Sequence, residues 1–322
     1  MSQNFKQAVI QLGSGTIKAG LWEQTFLPSH MIPCCVSIDC STGFASDKGP
    51  FGVVDKEGIW PIRHGVIKDP HALRLLIRHV LGLLNQQNLS ETSLLIILPS
   101  NAQLKKQNEV VRGVLAPLDL AAVYIAEPAV MAAWGCALQN ALVIDIGAQL
   151  TEVSAVWEGQ LIFSESSPLA GEAIDRLVSG SGDLSEEELR KKKQKDDLND
   201  ILKKVFLQEH PSIVELVRSV LAQCEPEQRP SLLDRIIITG GSSACPSLSS
   251  IIEEALRTDL LAASEFTGDH QPRSLRIRTV PEYYPEIWRT ATPQAAWFGG
   301  GVTAKCVFSD SRYVEKLVAE DP

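Results

Sequence analysis

No stretch of the 322 residues is apolar for long enough to span a bilayer, and the amino-terminal Met-Ser-Gln-Asn-Phe-Lys-Gln has no hydrophobic core of the secretory kind. Basic residues are outnumbered, 30 against 39 acidic, for a formal net charge of −9. That balance disfavours nucleic acid or an anionic membrane as a direct partner. No two cysteines stand in a C-x-x-C arrangement. The seven present, Cys34, Cys35, Cys40, Cys136, Cys224, Cys245 and Cys306, are scattered and odd in number, and no His or acid recurs near the first three at ligand spacing. Neither a disulfide framework nor a zinc site is indicated. Reduced, mostly buried thiols of a cytosolic or nuclear protein are expected.

What is present suits a large soluble chain. It is 44% hydrophobic and 21% charged, and its length fits two domains. Gln7 to Gln11 reads as a buried strand ended by Gly13-Ser14-Gly15, with Lys18 to Trp22 as hairpin partner. Leu73, Leu76, Ile77, Val80, Leu81 and Leu84 recur at helical spacing behind Asp69-Pro70, a cap followed by a first-turn proline. Leu94 to Leu98 is an apolar run that predicts a strand covered on both faces. Helical patterns follow at about 103–115 and 128–138. Ala141 to Ile146, then Gly147, then Thr151 to Trp157 repeats the strand–glycine–strand unit seen near residue 13, which points to an internal duplication. Ser185 to Leu207, with the basic run Arg190 to Lys195, reads as a solvated helix or insert. Further on, the pattern predicts a helix over 211–223, a strand over Leu232 to Thr239, a helix over 246–256, a strand over Leu275 to Val280, and a helix at the end of 291–308.

Three glycine-bearing turns therefore end buried strands: Gly13-Ser14-Gly15, Gly147 and Gly240-Gly241-Ser242. Glycine lets backbone N–H groups approach a phosphate with no Cβ in the way. Each turn alone is ordinary. Three in order, each after a buried strand, are the layout of a nucleotide site, with Lys18, Asp145 and Thr151 as polar neighbours.

These segments resemble the actin-like ATPase superfamily. Residues 9–20 resemble its first phosphate loop, 143–151 its second and 236–246 its adenosine motif. Residues 125–133 and 296–301 are similar to its two linking segments, and Arg63-His-Gly-Val and Pro168-Leu-Ala-Gly-Glu172 are smaller echoes. The resemblance implies an α/β fold of two duplicated ribonuclease-H-like lobes with reduced upper subdomains. The expected boundaries are 1–138 for the first lobe, with a shortened insertion at about 34–63, and 139–290 for the second, shortened at about 180–212. Residues 291–322 would form a C-terminal helix returning to the first lobe. It further implies ATP or ADP with Mg as a cofactor.

The departures bear on activity. Gln11 stands where the family carries a metal-holding aspartate, and a neutral amide binds hydrated Mg weakly. Gln149 replaces the second glycine of the second loop, where a side chain could crowd the phosphates. Pro128 stands at actin's water-orienting position. Glu127, beside it, is the single weak candidate for a catalytic base. No working ATPase is expected, and the missing cover of the second lobe argues against self-polymerisation. The compact form is similar to the pointed-end actin-related subunit of dynactin, expected in the cytoplasm and cytoskeleton. Residues 280–288 and 298–308 are instead similar to actin-related subunits of fungal SWI/SNF- and RSC-type chromatin remodellers, which would place the chain in the nucleus. A third alternative is a nucleotide-dependent actin-like filament protein. The implied partners are actin or actin-related subunits and complex-specific subunits. Tyr283, Tyr284 and Trp288 are candidate interface anchors.

Overall fold

The computed structural model of the chain describes residues 6–22, 27–36, 58–86, 88–98, 104–180, 198–260, 274–286 and 291–309. The chain divides into two compact units, Met1–Met131 with Ala296–Pro322, and Ala132–Ala295.

The first unit is built on a five-stranded sheet. Its strands are β1 (Lys6–Gln11), β2 (Thr16–Leu21), β3 (His30–Pro33), β6 (Thr92–Ile97) and β7 (Ala122–Ala126), in the order β3-β2-β1-β6-β7. The first three form an antiparallel meander, and β6 and β7 add in parallel. The short pair β4 (Ile62–Arg63) and β5 (Val66–Ile67) forms a separate hairpin. All six residues of β6 are buried, as the unbroken apolar run requires of a central parallel strand.

Strand alternation sends Ala8, Ile10 and Leu12 to one face, where they share a core with Leu73, Leu76, Ile77, Val80 and Leu81 of α1 (Pro70–Leu83) and with Val111 and Val114 of α2 (Leu104–Leu115). Each such buried leucine, isoleucine or valine side chain contributes about 1.5–3 kcal/mol. The Asp69 carboxylate accepts from the Ala72 N–H at 2.9 Å, the N-cap its position suggested. The opposite face carries Gln11, Lys18, Leu95 and Ile97 and is met by α9 (Ala295–Val307). Gly300 lets that helix lie on Ile97 and Leu95, and Gly301 lets it lie on the Trp22 ring. Trp22 also packs on Trp297 and Phe298, with ring centroids 6.1 and 5.6 Å away. The three glycines at 299–301 do not interrupt α9, because close approach to Trp22 and the sheet holds the helix there.

The second unit repeats the plan. Its sheet has β8 (Ala141–Ile146), β9 (Thr151–Trp157), β10 (Gln160–Ser167), β11 (Ile236–Thr239) and β12 (Ile277–Arg278), ordered β10-β9-β8-β11-β12. It is again an antiparallel meander followed by two parallel additions. Helix α3 (Pro128–Gly135) follows β7 in the sequence. The core joins Leu142, Ile144 and Val153 to Ile174 and Val178 of α4 (Gly171–Ser179), Val217 and Leu221 of α6 (Ile213–Gln223), and Ile252 and Leu256 of α8 (Leu248–Leu260). Ser212 and Glu215 close a capping box on α6, and Arg218 pairs with Asp259 at 2.6 Å between α6 and α8.

Three expectations change. Residues 198–208 are not a solvated insert. Helix α5 (Asn199–Lys203) and the π-type turn Lys204–Gln208 bury Leu198, Leu202, Val205 and Phe206, whose spacing brings them onto one face. The basic run Arg190–Lys195 lies outside the described residues. The expected strand over Leu232 to Thr239 starts only at Ile236. Leu232 and Leu233 belong to a helical turn, α7 (Arg229–Leu233), opened by Pro230. The strand expected over Leu275 to Val280 shortens to two residues. Strands β3, β4, β5, β7 and β10 were not expected; Glu158 and Gly159 have φ of 51° and 73° and form the tight turn that leads into β10.

Candidate functional site: two phosphate turns

The two meanders end in equivalent turns. A polar residue stands two places before each turn glycine, Gln11 before Gly13 and Asp145 before Gly147. Their cross-strand partners are Lys18 and Glu152. A Cβ on Gly13 would lie 2.8 Å from Thr16 O, and one on Gly147 would lie 2.9 Å from Leu150 O. Both turns thus bring the chain three residues on against the glycine Cα, which no larger residue allows. The duplication extends to this atomic relation.

In the first unit, Leu12 N–H donates to Ile97 O at 2.9 Å and Cys34 N–H to Gly15 O at 2.9 Å. The Ser14 hydroxyl accepts from Gly65 N–H at 3.1 Å. Gly65 and His64, with φ of 73° and 48°, form the β4–β5 turn. The smaller echo at Arg63-His-Gly-Val therefore belongs to the site. Lys18 is buried and lies beside Gln11 across the hairpin. The Gln11 side-chain oxygen is sealed from solvent with no hydrogen-bond partner.

In the second unit, the carbonyls of the turn are turned outward. Gly147 O accepts from Gly171 N–H at 3.1 Å and from the Ser242 hydroxyl at 2.8 Å, and Ala148 O accepts from Glu172 N–H at 2.8 Å. In a trans peptide the next N–H points opposite to the carbonyl. The N–H groups of Ala148 and Gln149 therefore face the other side of the turn together, which is the arrangement that receives an anion. Gly240, at φ 94°, lies so close to the Asp145 carboxylate and Ile146 O that a Cβ would overlap both. Gly241 faces open space.

Gln149 does not project freely from the turn. It is 2% exposed, and its amide donates to the Glu172 carboxylate at 2.6 Å. Thr151 is fully buried and its hydroxyl donates to Leu169 O at 2.6 Å, so it holds the segment leading into α4. The sequence reading missed Gly171 and Glu172 as parts of the site, although they lie in the quoted echo Pro168–Glu172.

Glu127 sits between β7 and α3, where its carbonyl accepts from Met131 N–H at 3.0 Å. Burial pushes its carboxyl pKa up from the ordinary value. Tyr283 is 75% exposed and stacks on Tyr284 at 4.9 Å; Trp288 lies outside the described residues. Burial pushes the Cys34 and Cys136 thiols up to about 12, which disfavours their reactive thiolate form. Among the described residues no group of three His, Cys, Asp or Glu is placed to hold a metal, and no helix is long and apolar enough to cross a membrane.

The residues fit a nucleotide's phosphates in part. In the first unit Ser14 and Lys18 supply a hydroxyl and positive charge, and in the second the N–H groups after Gly147 supply donors. The partnerless Gln11 oxygen fits a donor such as a metal-bound water, and Asp145 retains a carboxylate at the equivalent place. Comparison with known proteins identifies the family. Residues 2–195 match the family model for actin, and residues 130–280 match that of the type IV pilus assembly protein PilM. Actin-related protein 7 of Arabidopsis thaliana is 22% identical over 96% of this chain and 94% of its own. The cell shape-determining protein Mbl of Bacillus subtilis is 22% identical over 64% of this chain and 74% of its own. Centractin of Saccharomyces cerevisiae is 28% identical, over 31% of this chain and 26% of its own. The chain has the actin-like ATPase fold and belongs to the actin family.

Proposed function

We propose that this actin-family chain is a structural subunit of a multiprotein complex that does not form filaments and does not turn over ATP. The observation that carries this reading is Gln11, a neutral amide at the place of the metal-holding carboxylate. When bound, Mg would neutralise phosphate charge, with Asp145 and Gln11 the residues nearest its expected place in each turn. A neutral oxygen holds a divalent cation more weakly than a carboxylate does. In the first unit Gly13, Ser14, Gly15 and Lys18 would receive phosphate; in the second, Gly147 and its following N–H groups would do so. Gly240, Gly241 and Ser242 would flank the nucleoside. Glu127, protonated more readily than an ordinary carboxylate, is the residue that could still serve as a base.

Of the assemblies that use such subunits, we favour a nuclear chromatin remodeller. Similarity to actin-related protein 7 runs the length of both chains, and residues 280–288 and 298–308 resemble remodeller subunits. The second reading, a pointed-end subunit of dynactin in the cytoplasm, has the shortened second lobe in its support. Native tagged protein should co-purify with a remodelling ATPase and its actin-related partner. A dynein-cofactor assembly in its place decides for the second reading. Measurable ATP hydrolysis with pelletable filaments would sink both.

A further inference from the structure

Two segments of the second unit, the start of α4 and the turn at Ser242, converge on Gly147, Ala148 and Gln149. Gly171 N–H and the Ser242 hydroxyl share Gly147 O, and Glu172 N–H takes Ala148 O. A Cβ on Gly171 would overlap the Ser242 hydroxyl, so these chains are in direct contact. From within the turn, the Gln149 side chain donates outward to the Glu172 carboxylate at 2.6 Å. In effect, the carboxylate at the start of α4 takes a donor of the turn, and its own N–H gives back to the turn's carbonyl. The two bonds form a reciprocal pair between residues 148–149 and 172. Donation to an ionised acceptor is the stronger kind of hydrogen bond, and Gln149 makes it from a buried position.

We propose that Glu172 is a positioning residue which, through Gln149, holds the second phosphate turn in its anion-receiving form without any nucleotide. A glycine at 149 would leave the turn its backbone bonds and the Ser242 hydroxyl, and more of the ordering would then fall to the phosphates. Gln149 moves that work into the chain itself. The substitution that could have crowded the phosphates is instead folded back on α4, on the side to which the turn's carbonyls point. The proposal rests on the reading of residues 147–150 as a phosphate turn.

The test uses the full chain stripped of nucleotide and divalent cations, with amide hydrogen exchange read at Gly147 and Gly171, whose N–H groups donate to Leu150 O and Gly147 O when the turn is formed. The wild type should keep these amides protected. Glu172→Ala removes an exposed side chain, so the fold is retained, and it should raise their exchange roughly tenfold. Gln149→Met, which keeps the length and lacks the donor, should do the same. Glu172→Gln keeps an acceptor oxygen and should restore protection. Exchange in Glu172→Ala equal to that of the wild type overturns the proposal, as does loss of protection in the wild type on stripping. Adding Mg-ATP to Glu172→Ala tests the nucleotide reading separately. Renewed protection supports a phosphate site there, and continued fast exchange removes that reading while the positioning role stands.

Discussion

Gln11 and Glu127 are the residues on which the proposed loss of activity can be tested. Restoring the carboxylate with Gln11→Asp should raise affinity for ATP in the presence of Mg roughly tenfold, about 1.4 kcal/mol, with little change in EDTA. Isothermal titration with and without the metal checks this; an equal gain in EDTA would show that Gln11 does not face the cation. Glu127 has its pKa raised by burial, so the folded protein holds its proton to higher pH than the unfolded chain. Stability from this residue therefore falls as pH rises from the ordinary value of 4.5 through the folded pKa, and the cost persists above it. Glu127→Gln should melt higher than the wild type at pH 7, and the gap should close below about pH 4.5. Tyr283, 75% exposed, makes little of the core. Tyr283→Ala should leave the melting temperature unchanged and weaken capture of native partners several-fold, as expected of an aromatic anchor. A fall in melting temperature would mark it as structural instead.

At the scale of elements, glycine in a helix is destabilising unless something needs the space. Gly82 in α1 meets nothing within 4 Å, whereas a Cβ on Gly301 in α9 would enter the Trp22 ring. Gly82→Ala should stabilise by about 0.5–1 kcal/mol and Gly301→Ala should destabilise by about 1–3 kcal/mol, in denaturant midpoints. Most elements were legible because one periodicity dominated each. Leu73 to Leu84 marks α1, and Leu94 to Leu98 marks β6. The errors arose where apolar residues were read without their spacing or neighbours. Leu232 and Leu233 adjoin a true strand but follow Pro230, and Val205 and Phe206 were hidden behind a charged run. Within the site, the glycines and Gln149 were legible. The partnership of Gln149 with Glu172 was not, since it joins residues 23 apart across a change of element.

At the scale of the molecule, two sheets of the same order carry turns with the same glycine-to-carbonyl approach. They differ in how each turn is fastened. Ser14 accepts from the distant Gly65 in the first, while Gln149 donates to the distant Glu172 in the second. One fold plan thus carries two different local anchors. Family membership and the α/β plan follow from ordered motifs, but the choice between assemblies depends on surface residues whose partners leave no periodic trace.

The division of the chain also fixes an order of events at the ribosome. Ala132–Ala295 is continuous and can fold as soon as it emerges, whereas the first unit needs Ala296–Pro322 as well. The segment begun first is therefore completed last, after a delay on the order of ten to thirty seconds at ordinary synthesis rates. Through that interval Trp22 has no Trp297 or Phe298 to cover it. Stalled chains that stop before α9 should resist protease in the second unit while the first is cut. During its own synthesis, this protein should be a client for any chaperone that shields an uncovered aromatic sheet face.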